Sequence, residues 1–214
     1  MAYPSTPWML RGYALPTLQL IELEQVRPLI PSQLEIVSVL PGKTLGGVYV
    51  SFYDSSSVLQ YSELIVVAAL VRHAQQWGSW ISHIYVDDAD SVAGGREIWG
   101  LPKELAEFSW EKSNNGYQQC VTVSQRERTL CRLSYNQPGM SLPVPFSFSH
   151  FSVIGSDLFS FQAEVKSRLG LIDAQLVVPQ GSPFGRLGLN QPRLTLSANQ
   201  LRVVTHAPKL VASG

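Results

Sequence analysis

Gly94-Gly95-Arg96-Glu97-Ile98-Trp99-Gly100-Leu101-Pro102-Lys103-Glu104-Leu105 is the stretch on which the reading of this chain turns. A glycine pair, both charge signs and an isolated lysine meet here between apolar segments. Gly94 and Gly95 permit positive φ or close backbone approach, and Pro102 fixes φ just before Lys103. On a strand, Lys103 shares its face with Leu101 and Leu105, while Glu104 points the other way. The stretch reads as a glycine-rich turn that delivers one amine into apolar surroundings. An ordinary exposed lysine after a turn would use the same residues, so the rest of the chain has to decide.

Composition favours an interior of some size. The 214 residues are expected to form a single domain spanning 1–214, a length that all-β folds often reach without dividing. Sixteen basic and sixteen acidic residues cancel, which leaves no global charge to attract nucleic acid or anionic lipid. Only 15% of residues are charged, against roughly 25% in a typical soluble chain. With 45% hydrophobic residues, that deficit points to a large core, an apolar cavity or a homo-oligomer interface. The stretch Met1–Pro7 has neither the basic nor the apolar region expected of a signal peptide, and the apolar run Leu64–Val71 is far too short to span a bilayer. The expectation is a cytoplasmic protein. Cys120 and Cys131 are read as reduced core thiols, although a hairpin turning near Arg126 would let them face each other.

The coarse pattern is mainly β. Ala14–Glu22 reads as a strand and Glu24–Ile30 as a short helix ended by Pro31. Leu34–Leu40 and Leu45–Tyr53 flank Pro41-Gly42 and suggest a hairpin. Glu63–Arg72 is a strand buried on both faces, returned by Trp77-Gly78-Ser79 into Trp80–Val86. Asp87-Asp88-Ala89-Asp90 starts a short helix or turn. Lys103–Glu111, Tyr117–Ser124 and Thr129–Tyr135 form a meander with Asn114-Asn115-Gly116 as its clearest turn. Phe159–Leu169 fits either a long strand or an amphipathic helix. Leu171–Val178 and Arg193–Thr205 read as strands, and the loop Gly181–Gln191 is long enough for a lid or rim.

Three ordered motifs resemble the acetoacetate decarboxylase family: Gly95–Lys103, with its Gly-Arg-Glu and Pro-Lys; Arg27–Glu35; and Tyr61-Ser62-Glu63. The similarity covers roughly residues 11–125. It implies a closed, cone-like β-barrel of antiparallel strands around an apolar chamber, with a few short helices and a lysine projecting inward. In that family the lysine forms a Schiff base with a β-keto acid, and the iminium draws electrons as carbon dioxide leaves. The resemblance assigns catalysis to Lys103 and Glu63, the latter moving protons. It leaves Arg96, Glu97, Trp99 and Glu104 to bind substrate or brace the turn. It implies no cofactor and no metal. Partners would be a small carbonyl compound or an apolar ligand, with further copies of the chain.

The chemistry sets a condition. A free lysine near pKa 10.4 is mostly ammonium at neutral pH, and a downward shift of about three units, roughly 4 kcal/mol, is needed before it attacks a carbonyl. Acetoacetate decarboxylase is itself the usual example of such activation by desolvation or a neighbouring cation. The chain departs from its pattern: Glu104 stands where the decarboxylases have a second lysine, a first-strand arginine is replaced near Leu15-Pro16, and Gly46–Tyr53 lacks a glutamate. Thr44–Gly47, Phe52–Ser55 and Ser62–Ala68 also resemble a plant branch of the superfamily associated with neoxanthin accumulation. That resemblance implies a non-catalytic barrel holding a carotenoid or lipid.

Other chemistry finds less support. His73 and His83 flank Gly78 symmetrically and would be hairpin neighbours, but a zinc site wants three or four ligands. There is no Gly-x-Ser-x-Gly elbow, and the glycine-rich stretch Gly181–Gly188 lacks the Gly-Lys-Ser/Thr of a phosphate loop.

Overall fold

The computed structural model of the protein describes residues 3–112, 118–136 and 139–214. The turn expected at Asn114–Gly116 lies outside them. The described chain is mainly β. In order it forms β1 (Trp8–Glu22), a helical turn α1 (Leu23–Val26) running into a 3-10 turn (Arg27–Leu29), β2 (Glu35–Ile36), β3 (Lys43–Tyr53), β4 (Tyr61–His73) and β5 (Gln76–Val86). The helix α2 (Ala89–Trp99) then leads into β6 (Lys103–Leu105), β7 (Glu107–Lys112), β8 (Gln118–Gln125) and β9 (Arg128–Asn136). The chain ends with β10 (Leu142–Ile154), β11 (Asp157–Leu171), β12 (Ala174–Val177), β13 (Leu194–Thr205) and β14 (Lys209–Ala212).

Two sheets result. In the larger, the order β4-β3-β1-β13-β11-β10-β5 returns to β4 through the β4–β5 hairpin, so the pairings run round a ring. Most neighbours are antiparallel, but β10 with β5 and β5 with β6 are parallel, which corrects the all-antiparallel expectation. The smaller sheet has the order β12-β9-β8-β7.

Period-two alternation explains how one set of strands serves two interiors. On β4, Leu64, Val66 and Ala68 belong to a core shared with Val121, Val123 and Leu133 of the smaller sheet. The intervening Ile65 and Val67 turn the other way, toward a second cluster built on Trp8, Tyr53, Tyr61 and Trp99. Leu64, Val66 and Ala68 are fully buried, which is why this strand reads as an almost unbroken apolar run. Phe159–Leu169 resolves as strand within β11. The loop at 181–191 packs Phe184, Leu187 and Leu189 into the first core and belongs there, not over the second.

Some local expectations fail for clear reasons. Pro41-Gly42 does not join a hairpin of two long strands: β2 is two residues long and pairs with β4 (Glu35↔Arg72, Ile36↔Val71). The β4–β5 reversal falls at Ala74-Gln75, with Ala74 at φ 52°, and Trp77–Ser79 are already in β5. His73 consequently faces Gln76 and His83 faces Val66, so the two imidazoles are not cross-strand neighbours. Cys120 and Cys131 are free and buried; burial pushes the Cys131 thiol up to about 12.

The glycine pair is the largest surprise. Gly94 and Gly95 lie inside α2, not in a turn. The helix begins on Asp88, whose carboxylate accepts from the Ser91 backbone N–H at 2.7 Å. It ends on Gly100, in the left-handed region at φ 65°. Replacing Asp88 with Ala is expected to lower the unfolding free energy by about 1 kcal/mol. Gly100→Ala should cost about 1–2 kcal/mol from backbone conformation alone, and more because its Cβ would meet the Val153 carbonyl oxygen at 2.6 Å. Urea unfolding of the two variants measures both.

Candidate functional site

The helix and the short strand after it place the lysine. Gly100 and Pro102 turn the chain out of α2, and Lys103 opens β6 beside Ile84 of β5. Arg96 holds the turn by donating from Nε to the Lys103 carbonyl oxygen at 2.7 Å. The aliphatic stem of Lys103 lies directly on the helix at Gly95, where a Cβ would come within 2.5 Å of Lys103 Cδ. Gly94 admits the Trp8 indole in the same way, at 2.6 Å. The pair is needed for close approach, the second of glycine's two uses.

On the far side of β5, Glu63 of β4 is aligned with Val86 and Ser51. Lys103 Nζ lies 2.8 Å from Glu63 Oε1, and both side chains are about 95% buried. The ammonium also donates to Ser91 Oγ at 2.9 Å and sits 4.9 Å from the centre of the Tyr61 ring. Tyr53 donates to the second Glu63 oxygen at 3.3 Å, and its hydroxyl is 3.3 Å from that of Tyr49. Burial is the main cause that raises the Tyr49, Tyr53 and Tyr61 hydroxyls above the usual phenol range, with the Glu63 charge adding to it. All three stay protonated at neutral pH.

This cluster closes one end of a pocket of about 670 Å³ inside the ring, well within the range of small-molecule sites. Its walls are mostly apolar, and among the described residues Lys103 and Glu63 are the only charged side chains lining it. Trp77, Phe146 and Phe148 line it and are also more than a third exposed, so the pocket opens there. Between the two ends lies His150, whose Nδ1 and Ser79 Oγ share a 2.6 Å hydrogen bond. Burial drops its imidazole to about 4.

The expected residues thus separate. Lys103, Glu63 and Trp99 come together at the pocket, Trp99 donating from Nε1 to the His206 carbonyl oxygen at 2.8 Å. Arg96 braces the turn. Glu97 lies outside the pocket and accepts from the Tyr3 hydroxyl. Glu104 faces away from the amine, exposed and bonded to Gln125 Nε2 at 2.9 Å. Ser91, Tyr53, Tyr49 and His150 were not singled out from sequence. Ser91 alone carried a usable signal, since it stands one helical turn before the glycine on which the lysine lies. Among the described residues there is no cluster of three or more His, Cys, Asp or Glu, and no helix is long and apolar enough to cross a membrane.

Residues 19–153 match the family model described as Acetoacetate decarboxylase (ADC). The chain is 35% identical to Protein NEOXANTHIN-DEFICIENT 1 of Oryza sativa subsp. japonica, over 85% of its own length and 74% of the rice protein. It is 34% identical to the Solanum lycopersicum protein of the same name over 51% of its length, and that match spans 37% of the tomato protein. The crystal structure of acetoacetate decarboxylase from Legionella pneumophila superposes with a TM-score of 0.77 at 15% identity, covering 100% of this chain and 90% of that one. At that identity the likeness speaks for the fold.

Two measurements check the electrostatics. Lys103→Met leaves Glu63 buried without its cation and should cost about 3–5 kcal/mol, most of it regained when Glu63→Leu is added. For His150, the unfolded imidazole takes its proton near pH 6.5 and the folded one only near 4. The unfolded state therefore binds more protons between these values, and stability that is complete above pH 6.5 falls toward pH 4 by about 3 kcal/mol. In His150→Phe that acid slope should flatten, as read by urea unfolding at a series of pH values.

Proposed function

The chain belongs to the acetoacetate decarboxylase family, and on that premise we propose that Lys103 is a Schiff-base amine acting on a small keto acid or related carbonyl compound. In this reading the ring of strands is a closed, cone-like barrel and residues 1–214 form one domain around an apolar chamber. The observation that carries the proposal is the buried Lys103 amine, 2.8 Å from a single carboxylate at the end of an apolar pocket.

Each neighbour has a task. Glu63 takes the proton that Lys103 must shed before its lone pair can attack, and returns it to the carbinolamine oxygen so that water leaves. The products of that step are an iminium and one water. With a β-keto acid, the carbon–carbon bond electrons then move toward the iminium nitrogen and carbon dioxide departs. Protonation of the resulting enamine and hydrolysis release the ketone and restore the amine. Ser91 orients the nitrogen, and Tyr53 fixes the second oxygen of Glu63. Arg96 keeps β6 in place and does not touch the reacting atoms.

Glu104 takes no part in this scheme because its carboxylate is exposed on the other face. The missing second cation has a consequence, however. The amine would be freed by proton transfer to Glu63, with no neighbouring amine to assist.

The pocket's apolar walls favour a second reading, in which the barrel holds a carotenoid or lipid without reacting with it. Borohydride reduction in the presence of pyruvate, acetoacetate or an aliphatic aldehyde, followed by intact and peptide mass spectrometry, separates the two. The expected result is a reduced adduct on Lys103 that is absent in Lys103→Ala and weakened at least tenfold in Glu63→Gln. No adduct with any of the three carbonyls, together with pigment or lipid extracted from the purified protein, would establish the second reading in place of the first.

A further inference from the structure

The reaction scheme uses one end of the pocket and leaves unexplained a polar pair on its wall. Ser79 and His150 are aligned partners where β5 and β10 meet in parallel, and both line the pocket. His150 is 92% buried by its 8% exposure. Its Nδ1 is engaged by Ser79 Oγ, while Nε2 has no hydrogen-bond partner among the described residues. The ring is wedged between Phe148, at 4.8 Å and nearly perpendicular, and Phe161, at 5.1 Å. Nε2 is not among the side-chain atoms sealed from solvent without a partner, so it is open to the pocket and can bond to whatever fills it.

The two polar stations are set apart along one strand. Ser79 marks the histidine and Ile84 the lysine; at about 3.3 Å per residue, their backbones are roughly 15 Å apart. The wall between them is apolar, with Ile65, Val67, Ile81 and Val165 among its residues. The open end, at Trp77, Phe146 and Phe148, lies on the histidine's side. A three- or four-carbon acid held at Lys103 would leave most of 670 Å³ unfilled and would never reach His150.

We infer that the pocket takes an elongated, uncharged, apolar carbonyl compound whose far end carries a hydroxyl group. The carbonyl meets Lys103, and the hydroxyl is held by His150 Nε2 with Ser79 fixing the ring. This deepens the Schiff-base reading and rests on it for the carbonyl end. A hydroxyl suits the site because it both donates and accepts, and so fits whichever nitrogen carries the imidazole proton. A terminal carboxylate would lie among aromatic rings, with no cation among the described residues lining that end of the pocket. The covalent step is imine formation alone: the carbonyl oxygen leaves as water and the C=N bond to Lys103 replaces the C=O bond.

The test compares two saturated aldehydes of about twelve carbons, a length matched to the strand-derived span. One ends in a hydroxyl and the other in a methyl group. Each is titrated under borohydride, with the adduct at Lys103 read by mass spectrometry. In the unaltered protein, half-maximal trapping should need about 3- to 10-fold less of the hydroxylated aldehyde, the value of one buried hydrogen bond. That ratio should fall to one in His150→Phe and shrink in Ser79→Ala, while His150→Gln, which keeps a donor, retains part of it. Thermal unfolding of each variant confirms that it is folded.

Equal trapping of the two aldehydes by the unaltered protein, or a ratio that survives His150→Phe, overturns the inference and leaves the Schiff-base reading intact. If no aldehyde is trapped at all, the Schiff-base reading fails and the histidine station is tested by itself. Tryptophan-quenching titrations with the matching long-chain alcohol and alkane then decide it: a preference for the alcohol that His150→Phe abolishes supports the station, and equal quenching overturns it.

Discussion

The buried contact between Lys103 and Glu63 is the constraint on which the site depends. Two opposite charges, each about 95% withdrawn from water, are tolerable only if they stay together and their remaining hydrogen-bonding capacity is met. Ser91 meets it for the ammonium, and Tyr53 for the carboxylate. Much of the surrounding architecture serves that condition. Helix α2 has to lie against the lysine stem, which requires glycine at 95. Strand β5 has to separate the partners by one strand's width, which its pairing with β4 on one side and β6 on the other provides.

Such a pair is seldom the cheapest way to fill an interior, since apolar residues of similar volume often stabilise as well or better. Its retention in an otherwise apolar wall is therefore an argument for chemistry. A proton can move between the two groups without changing the net charge of the pocket. Separating two charges there would be expensive, whereas converting an ion pair into an amine and a carboxylic acid creates no new charge. The nearby phenols, held protonated by burial, offer donors without competing for that proton.

How much of this the sequence disclosed follows from the range of the physics involved. Period-two alternation is local, so Lys103 inward and Glu104 outward were legible, as were the long strands from their β-branched runs; Leu105, expected on the lysine's face by the same rule, is exposed because β6 ends there. The motifs at Tyr61–Glu63 and Gly95–Lys103 brought the two charged partners to notice before any geometry was known. What stayed hidden depends on distant contacts. Tyr53 reaches Glu63 across a register between β3 and β4, and His150 meets Ser79 through a parallel pairing of strands 71 residues apart. Gly94-Gly95 misled because glycine's freedom and its smallness leave the same letters: the pair was read as a turn, yet it sits mid-helix so that Trp8 and Lys103 can touch the backbone. The Pro41-Gly42 hairpin failed likewise, because β2 found its partner in β4.

The same charge accounting bears on what the pocket can accept. Lys103 and Glu63 together are neutral, and among the described residues no other charged side chain lines the cavity. A keto acid would bring a third charge, and with the amine converted to an iminium opposite Glu63 the pocket would hold one anion without a counter-ion. Loss of carbon dioxide quenches the iminium and leaves one net negative charge, now on Glu63, until the enamine takes up a proton. An uncharged carbonyl compound meets no such penalty: the pocket remains neutral from entry through imine formation, and the apolar wall between Lys103 and His150 contributes to binding along its length. In the proposed scheme, a pocket whose charged lining among the described residues is one neutral pair would favour long neutral molecules over small anions.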